Sequence, residues 1–195
     1  MTPLYAVCRF ASWTLLRTIW RFRTIDAHLV PRDGPLIVAC NHVSYLDPPA
    51  LGVAAPRQIA YMAKTELFAI PVLGALIDGL GAFPVDRSRG DVAAIKAAAK
   101  VLERGAALGI FPEGTRNLKG DVRPQMGVAL LASLSGATVV PAYVNGSAEA
   151  KRLRRITVAF GEPLRFEAGR QARREALAKW TDDLMRRIYE LREKT

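Results

Sequence analysis

At residues 36–49 the chain reads LIVACNHVSYLDPP, and this stretch sets the expectation for the whole fold. An apolar run gives way to polar residues and then to an Asp-Pro-Pro breaker, a pattern that predicts a buried strand. His42 and Asp47 therefore follow a strand end. A histidine can take a proton from a hydroxyl near neutral pH, and a nearby carboxylate can fix its tautomer. Taken alone, the spacing favours a plainer interpretation, in which His42 is a polar loop residue and Asp47 caps a helix.

A turn must lie between His42 and Asp47, because an offset of five residues cannot present both side chains on one face of a helix. We expect Ser44 to form this turn as a helix N-cap, with Asp47 three residues further on. Pro48 then falls in the first helical turn, where proline is tolerated. Cys40 and Ser44 are also candidate covalent nucleophiles, but a strand-end cysteine and a capping serine need no chemical role.

Composition indicates one globular domain with an anionic partner. The chain has 195 residues, half of them hydrophobic, and 28 Lys and Arg against 18 Asp and Glu give a formal charge of +10. This surplus suits nucleic acid, an acidic membrane face or phosphorylated substrates. The two cysteines, Cys8 and Cys40, have no metal-ligand spacing, so we expect a reduced cytosolic compartment without disulfides, zinc or any other metal site.

No segment predicts a transmembrane helix or a signal peptide. The longest uncharged run, residues 126–144, is broken by a Ser-Leu-Ser-Gly turn and by Pro141. Residues 1–23 instead predict an N-terminal amphipathic helix that associates with a membrane, and residues 24–195 predict a single globular domain. One stripe of that helix lacks arginine and consists of Leu4, Val7, Ala11, Leu15 and Phe22. The other side mixes arginines with aromatic residues: Arg9, Phe10, Trp13, Arg17, Trp20, Arg21 and Arg23. Such a helix can lie in a membrane interface, and its stripe can also pack on the domain; the two interpretations do not exclude each other.

Short apolar strands alternate with amphipathic helices along the rest of the chain. This pattern predicts an α/β fold with a mixed, mostly parallel central sheet flanked by helices, an N-terminal amphipathic helix and a C-terminal helix. We expect strands at residues 25–30, 36–40, 57–63, 81–87, 107–111, 138–144 and 156–160, and helices at 4–22, 68–80, 89–104, 125–134 and 170–193. The other histidine, His28, alternates with apolar neighbours in the first strand and is interpreted as structural.

Polar clusters follow three of the predicted strands, and in α/β sheets ligands bind outside the carboxyl ends of strands. The clusters contain His42, Arg87 and the hexapeptide at residues 112–117. Arginine can hold phosphate through a bidentate fork, and glycine allows close approach of the backbone. A separate basic cluster at residues 151–155 reads as a solvated loop or as a contact with anionic lipid.

Four blocks together resemble the glycerolipid acyltransferases, and most closely the bacterial 1-acylglycerol-3-phosphate O-acyltransferases. They are Asn41-His42-x4-Asp47, Gly81-x-Phe-Pro-Val-x-Arg87, Phe111-Pro-Glu-Gly-Thr-Arg116 and Val139-Val-Pro141. The resemblance extends from about residue 32 to residue 164.

The resemblance implies that His42 is a general base and Asp47 its orienting partner. A lysophospholipid hydroxyl, most directly that of 1-acylglycerol-3-phosphate, would attack the thioester of acyl-CoA or of acyl-carrier protein without an acyl-enzyme and without a further cofactor. The expected location is the cytoplasmic face of the cell membrane, against an anionic surface. The substrate-binding residues it implies are Asn41, Arg87, Glu113, Gly114, Thr115, Arg116 and Pro141.

One block departs from the family pattern. Family members often carry Phe-Lys-x-Gly where this chain has Pro124-Gln125-Met126-Gly127. The missing lysine removes a cation that can assist phosphate binding, although Arg123 could substitute for it. A lysolipid with another headgroup, such as an aminolipid, is therefore the competing acceptor.

Two interpretations from other classes remain. A basic nucleic-acid-binding protein is supported only by the charge of +10 and would need a basic stripe with stacking aromatics, whereas Trp13 and Trp20 lie in the N-terminal segment. A non-catalytic lipid-binding relative would not need an intact His42–Asp47 pair. We therefore expect an enzyme and no nucleic-acid partner.

Overall fold

A computed structural model describes residues 1–85, 91–167, 169 and 172–195 of the chain. In this part of the chain seven strands form one sheet. They are β1 (Arg23–Ile25), β2 (Leu36–Cys40), β3 (Ile59–Lys64), β4 (Phe83–Val85), β5 (Ala107–Ile110), β6 (Thr138–Asn145) and β7 (Thr157–Phe160).

The α-helices of the same residues lie between and around these strands. They are α1 (Pro3–Trp20), α2 (Asp47–Ala54), α3 (Thr65–Phe68), α4 (Pro71–Gly79), α5 (Asp91–Glu103), α6 (Gly127–Ser135) and α7 (Arg174–Glu190). Within the described residues, three short 3-10 helices span Ala27–Leu29, Ala150–Arg152 and Leu191–Lys194. None of the helices described is both long and apolar enough to cross a membrane.

The strand order is β1-β7-β6-β2-β5-β3-β4, with β2 at the centre. Every neighbouring pair is parallel except β6 and β7, which are antiparallel. The carboxyl ends of β2 to β6 therefore meet at one edge of the sheet, and β1 and β7 begin at that edge. The predicted mixed, mostly parallel α/β fold with helices at both termini is confirmed.

Both faces of the sheet are covered, which explains why β2 is buried along its whole length. Leu36 and Val38 face a core that includes Leu16 of α1 and Leu51 of α2. The alternate residues of β2 face a second core formed with α5, α6 and α7, which contribute Ala98, Leu102, Val128, Leu131, Leu184 and Ile188. Two layers of helices thus hold the strand that leads to His42.

Helix α1 packs on the domain through a different face from the predicted stripe. Tyr5 and Leu16 are buried, whereas Leu4, Val7 and Leu15 of the stripe are exposed. The Tyr5 hydroxyl donates a hydrogen bond to the Gly52 carbonyl and accepts one from the Ile59 amide, both over 3.3 Å. The alternative in which the arginine-free stripe packs inward therefore fails for Leu4, Val7 and Leu15, although Phe22, which follows α1, is buried. The polar anchors of Tyr5 select the neighbouring face of the helix.

Arg9 also holds α1 in place. Its guanidinium donates to the carbonyls of Val53 and Ala55 over 3.0 and 2.9 Å, at the end of α2. These carbonyls lack helical partners and carry the negative end of the helix dipole, so a cation stabilises them. Arg9 is therefore a structural residue. Arg17 is more exposed, but its guanidinium also donates to a backbone carbonyl, that of Phe22, over 3.0 Å.

Two further local predictions are wrong. The first strand ends at Ile25, and His28 lies exposed in a 3-10 helix instead of alternating in a strand. Ser44 does not cap α2, which begins at Asp47 after Leu46; the Ser44 hydroxyl accepts a hydrogen bond from the Leu46 amide in a tight turn. Pro48 and Pro49 are the second and third residues of α2 and have no amide hydrogen, so the helix can begin at Asp47 without a side-chain cap.

Candidate active site

His42 and Asp47 are hydrogen-bonded at the carboxyl end of β2. Nδ1 of His42 lies 2.9 Å from Oδ2 of Asp47. The side chain of His42 is 18% exposed and that of Asp47 is fully buried. Because the carboxylate occupies Nδ1, Nε2 is the ring nitrogen that remains for a substrate. The pair has the geometry in which a carboxylate orients an imidazole base.

The Asp47 carboxylate is held by four donors in total. Oδ2 also accepts from the backbone amides of Val43 and Ser44 over 2.6 and 2.7 Å. Oδ1 accepts from the buried hydroxyl of Ser147 over 2.6 Å. A buried carboxylate needs such partners, since an unpaired one is costly to desolvate. Asp47 therefore holds the imidazole from a fixed position.

Phe111 supports the other side of the imidazole. The two rings are stacked with centroids 4.2 Å apart, at an angle of 24°. Phe111 in turn lies parallel to Tyr61, whose hydroxyl donates to the Pro48 carbonyl over 2.9 Å. The His42 ring is thus held by a hydrogen bond at Nδ1 and by packing on one face, which limits its rotation.

Glu113 lies against the same loop. It belongs to the block for which phosphate binding was predicted from the sequence. Its Oε1 accepts from the His42 amide over 3.4 Å and from the Tyr189 hydroxyl over 3.2 Å. Its Oε2 is buried and has no partner among the described residues. Burial raises the pKa of Glu113, and hydrogen bonds from the backbone and Tyr189 partly oppose this effect. The residue thus joins the His42 loop to α7.

Tyr189 stays protonated and can act as this donor. Burial and the neighbouring Glu113 carboxylate raise the pKa of Tyr189 to about 12. The ring also packs edge-on against Tyr143, with centroids 6.0 Å apart. The C-terminal helix therefore contributes a side chain to the site, which periodicity alone did not predict.

The loop after Glu113 places one cation at the surface of the site. Gly114 adopts a left-handed conformation with φ of 67°, and Thr115 beside it is exposed. Nη2 of Arg116 donates to the Tyr45 hydroxyl over 2.9 Å, and its Cζ lies 3.8 Å from the centroid of the Tyr45 ring. The His42 carbonyl accepts from the Asn117 amide over 2.6 Å, which ties this loop to the loop that carries His42.

The remaining predicted site residues are Asn41, Pro141 and Arg87. Asn41 is buried, and its amide both donates to and accepts from the backbone of Val144, so it anchors β2 to β6. Pro141 is buried inside β6, opposite Ala39. Arg87 lies outside the described residues. The substrate contacts of all three stay predictions.

The proposed covalent nucleophiles are poorly placed. Cys40 is fully buried, and desolvation raises the pKa of its thiol well above the ordinary value. A thiol must ionise and reach the substrate to attack it, so Cys40 is unsuited to this role. The Ser44 hydroxyl accepts a hydrogen bond from the Leu46 amide, and within the described residues it forms none with a histidine.

Sequence reasoning missed three residues that the fold brings to this edge of the sheet. Ser147 and Tyr189 are joined to the site only by hydrogen bonds between residues far apart in the chain, and no local pattern marks them. Lys64 is exposed at the end of β3, beside the strand that leads to Glu113. A lysine directly after an apolar strand was a usable signal, since the other polar clusters were found in this way.

Comparison with known proteins shows the family of the chain. The family described as Acyltransferase matches residues 21–145. The 1-acyl-sn-glycerol-3-phosphate acyltransferase of Bacillus subtilis is 34% identical over 98% of this chain and 98% of its own length. The lyso-ornithine lipid O-acyltransferase of Pseudomonas aeruginosa is also 34% identical, over 74% of this chain and 56% of its own length.

A solved structure shares the fold. The 1-acyl-sn-glycerophosphate acyltransferase of Thermotoga maritima superposes with a TM-score of 0.79 over 96% of this chain and 79% of that chain, at 23% identity. The sequence matches and the shared architecture point in one direction. The chain belongs to the acyltransferase family and is an enzyme of that family.

Proposed function

We propose that the chain transfers a fatty acyl group from a thioester to the free hydroxyl of 1-acylglycerol-3-phosphate, forming phosphatidic acid. The observation that carries this proposal is the His42–Asp47 hydrogen bond, which leaves Nε2 available for the hydroxyl of an acceptor. The relative in Bacillus subtilis supports the choice of acceptor, since it matches this chain over almost its full length.

In the proposed reaction, Nε2 of His42 removes the proton of the acceptor hydroxyl while its oxygen attacks the thioester carbonyl carbon. Asp47 stabilises the imidazolium that forms. The tetrahedral intermediate expels the thiolate by breaking the C–S bond, and the imidazolium returns the proton to sulfur. The substrate brings its own nucleophile, so no acyl-enzyme is needed. The burial of Cys40 supports this direct route.

Cations for the acceptor phosphate follow three adjacent strands on one side of His42. Arg116 follows β5, Lys64 ends β3, and Arg87 follows β4 in the sequence. Arginine binds phosphate through a planar fork and lysine as a point charge. We propose that these residues, with the loop from Glu113 to Thr115, receive the headgroup.

A lyso-aminolipid is the second candidate acceptor, and the position of Gln125 favours it. Position 125, where family members often carry lysine, lies against the phosphate loop: a Cβ on Gly114 would be 2.8 Å from Nε2 of Gln125. A neutral amide there lowers the positive charge of the loop. The relative in Pseudomonas aeruginosa is named for lyso-ornithine lipid.

We propose that α1 attaches the enzyme peripherally to the cytoplasmic face of an anionic membrane. The outer face of α1 exposes apolar side chains: Leu4, Val7, Phe10, Trp13, Leu15 and Ile19. Ile70 and Val72 at the start of α4 are exposed too, and Leu4 packs near Gly79 at the end of that helix. Contiguous exposed apolar surface with nearby arginines is typical of membrane contact.

The decisive experiment is an acyl-transfer assay of the purified protein with 1-acylglycerol-3-phosphate and lyso-ornithine lipid, each with acyl-CoA and with acyl-carrier protein. We expect phosphatidic acid as the main product. A Gln125→Lys variant should shift the preference further toward the phosphate acceptor. Faster turnover of lyso-ornithine lipid would select the second candidate, and no diacyl product from any pair of substrates would contradict both.

A further inference from the structure

A second group of arginines lines a cavity on the other side of the catalytic strand. The cavity has a volume of about 340 Å³, and it is lined by Arg21, Arg154 and Arg155 together with Asn145, Gly146, Thr157 and Thr195. The lining contains no Asp or Glu side chain. No ion pair between these arginines and a carboxylate is present among the described residues. Three arginines in the lining of one cavity favour an anionic ligand.

The two backbone segments that carry these arginines are joined by hydrogen bonds. The Ile156 amide donates to the Trp20 carbonyl over 3.1 Å, and the Arg23 amide donates to the Ile156 carbonyl over 3.0 Å. Nε1 of Trp20 donates to the Ala150 carbonyl over 2.8 Å. Arg21 lies between Trp20 and Arg23 in the chain, and Arg155 directly precedes Ile156. The hydrogen bonds therefore fix the distance between the Cα atoms of Arg21 and Arg155.

Two residues beside the cavity adopt left-handed conformations at the ends of helices. Arg21, with a φ of 49°, follows the last turn of α1, and its amide donates to the Leu16 carbonyl. Leu153, with a φ of 53°, ends the 3-10 helix Ala150–Arg152, and its amide donates to the Ala150 carbonyl. These helix ends therefore fix the backbone on both sides of the cavity.

Sheet topology places this cavity opposite the cations proposed for the acceptor. His42 follows the central strand β2, and those cations follow β5, β3 and β4 on one side of it. The cavity lies on the other side, where β6 ends and β1 and β7 begin. Gly146 is part of its lining, and the next residue, Ser147, bonds Asp47. The catalytic pair therefore lies between two groups of cations.

We propose that Arg21, Arg154 and Arg155 bind the phosphate of the acyl donor. CoA and the prosthetic arm of a carrier protein share a phosphorylated pantetheine, so one phosphate site serves either donor. A transferase that joins two phosphate-bearing substrates needs a separate anion site for each, on opposite sides of the base. The inference rests on the proposed acyl transfer and assigns the donor side of it.

The test is a double variant, Arg154→Gln with Arg155→Gln, and its control is Arg173→Gln with Arg174→Gln. The control pair is equally exposed at the start of α7 and removes the same two charges. KM for acyl-CoA should rise about tenfold or more in the first variant with kcat within twofold, since hydrogen bonds to charged groups are the stronger ones. The control should behave as wild type.

Two additional measurements separate phosphate binding from other causes. An acyl thioester of pantetheine without phosphate should show the same KM in wild type and variant. Equilibrium binding of CoA alone, without an acceptor, should weaken about tenfold in the variant and less at high salt. This binding measurement remains informative even if the acceptor proposal fails.

Three results would overturn the inference. One is an equal rise in KM for the phosphorylated and unphosphorylated donors. Another is unchanged CoA binding in the variant. The third is unchanged donor KM together with weaker binding to phosphatidylglycerol vesicles, which would assign the cavity to lipid headgroups instead.

Discussion

The Ser147 hydroxyl donates a hydrogen bond of 2.6 Å to Oδ1 of Asp47, although 100 positions separate the two residues. Both are buried, and Oδ2 of the same carboxylate is occupied by His42 and two backbone amides. Ser147 therefore fixes the side of Asp47 that faces away from the imidazole. Because Gly146 before it has a φ of 81°, the turn after β6 directs the serine toward α2.

Replacing Ser147 should lower turnover without changing substrate affinity. We expect Ser147→Ala to reduce kcat about tenfold with KM unchanged, since the loss of one hydrogen bond to a charged group lets Asp47 and the imidazole move. Ser147→Thr keeps the hydroxyl and should restore most of the rate. Ser133→Ala removes a buried serine hydroxyl elsewhere, on α6, and is the control. Wild-type kcat in Ser147→Ala would refute a positioning role.

His42 should be essential to the rate and His28 should not. We expect His42→Asn to lower kcat by about 10² to 10⁴, the usual contribution of a positioned general base. His28→Asn changes the other histidine, which is exposed in a 3-10 helix, and should leave kcat within twofold. Steady-state kinetics of both proteins, with melting curves to verify folding, measure the difference. Comparable losses in both would argue against His42 as the base.

Glu113 should make stability depend on pH. Burial raises the pKa of its carboxyl above the unfolded value, so the folded state binds the proton more tightly than the unfolded chain does. This contribution is complete below the unfolded pKa and is lost as the pH rises through the folded pKa. The glutamine side chain in the Glu113→Gln variant cannot ionise, so this variant does not lose that stability as the pH rises.

Thermal denaturation between pH 4 and pH 8 tests this prediction. Glu113→Gln should melt above wild type at pH 8, by about 2–4 °C for each kcal/mol, and the difference should shrink toward pH 4. A difference that is constant over this range would mean that Glu113 ionisation is not coupled to folding.

Gly114→Ala should impair the loop that carries Arg116. The position has a φ of 67°, and an added Cβ would meet the Gln125 side chain at 2.8 Å. Gly120→Ala is the matched control, since its φ is 78° and no atom lies within 4 Å of the added Cβ. Both variants should lose about 1–2 kcal/mol through left-handed strain. Only Gly114→Ala should also lower kcat/KM for the acceptor, because only there does the added Cβ force a neighbouring side chain, that of Gln125, to move.

The exposed face of α1 should determine vesicle binding. Val7 and Phe10 are 67% and 69% exposed, so serine at both positions should leave the melting temperature unchanged. Binding to anionic vesicles in a sedimentation assay should weaken about tenfold or more, because each apolar side chain contributes about 1.5–3 kcal/mol when fully buried. Activity on a short-chain, monomeric acceptor should be retained. Unchanged vesicle binding would remove α1 from the membrane contact.

Local patterns in the sequence were sufficient to predict most of the architecture. The apolar runs of β2, β5 and β6 and the helical periodicity of α7 are short-range signals, and the structure contains all four elements close to their expected bounds. The four blocks also indicated the family, which the comparisons confirm. Polar residues directly after strands pointed to one edge of the sheet.

Contacts between distant residues were decided only by the tertiary structure. Ser147 on Asp47, Tyr189 on Glu113 and Arg9 on the end of α2 join residues 44 to 100 positions apart. Periodicity describes which face of an element is apolar, but not which neighbour satisfies a buried polar group. The same limit explains the face of α1, where Tyr5 and Arg9 found polar partners on α2 and the apolar stripe was left exposed. The sequence by itself determined the strands, the helices and the His-Asp spacing; packing determined which side chains hold that pair in place, because buried hydrogen bonds form only once distant elements meet.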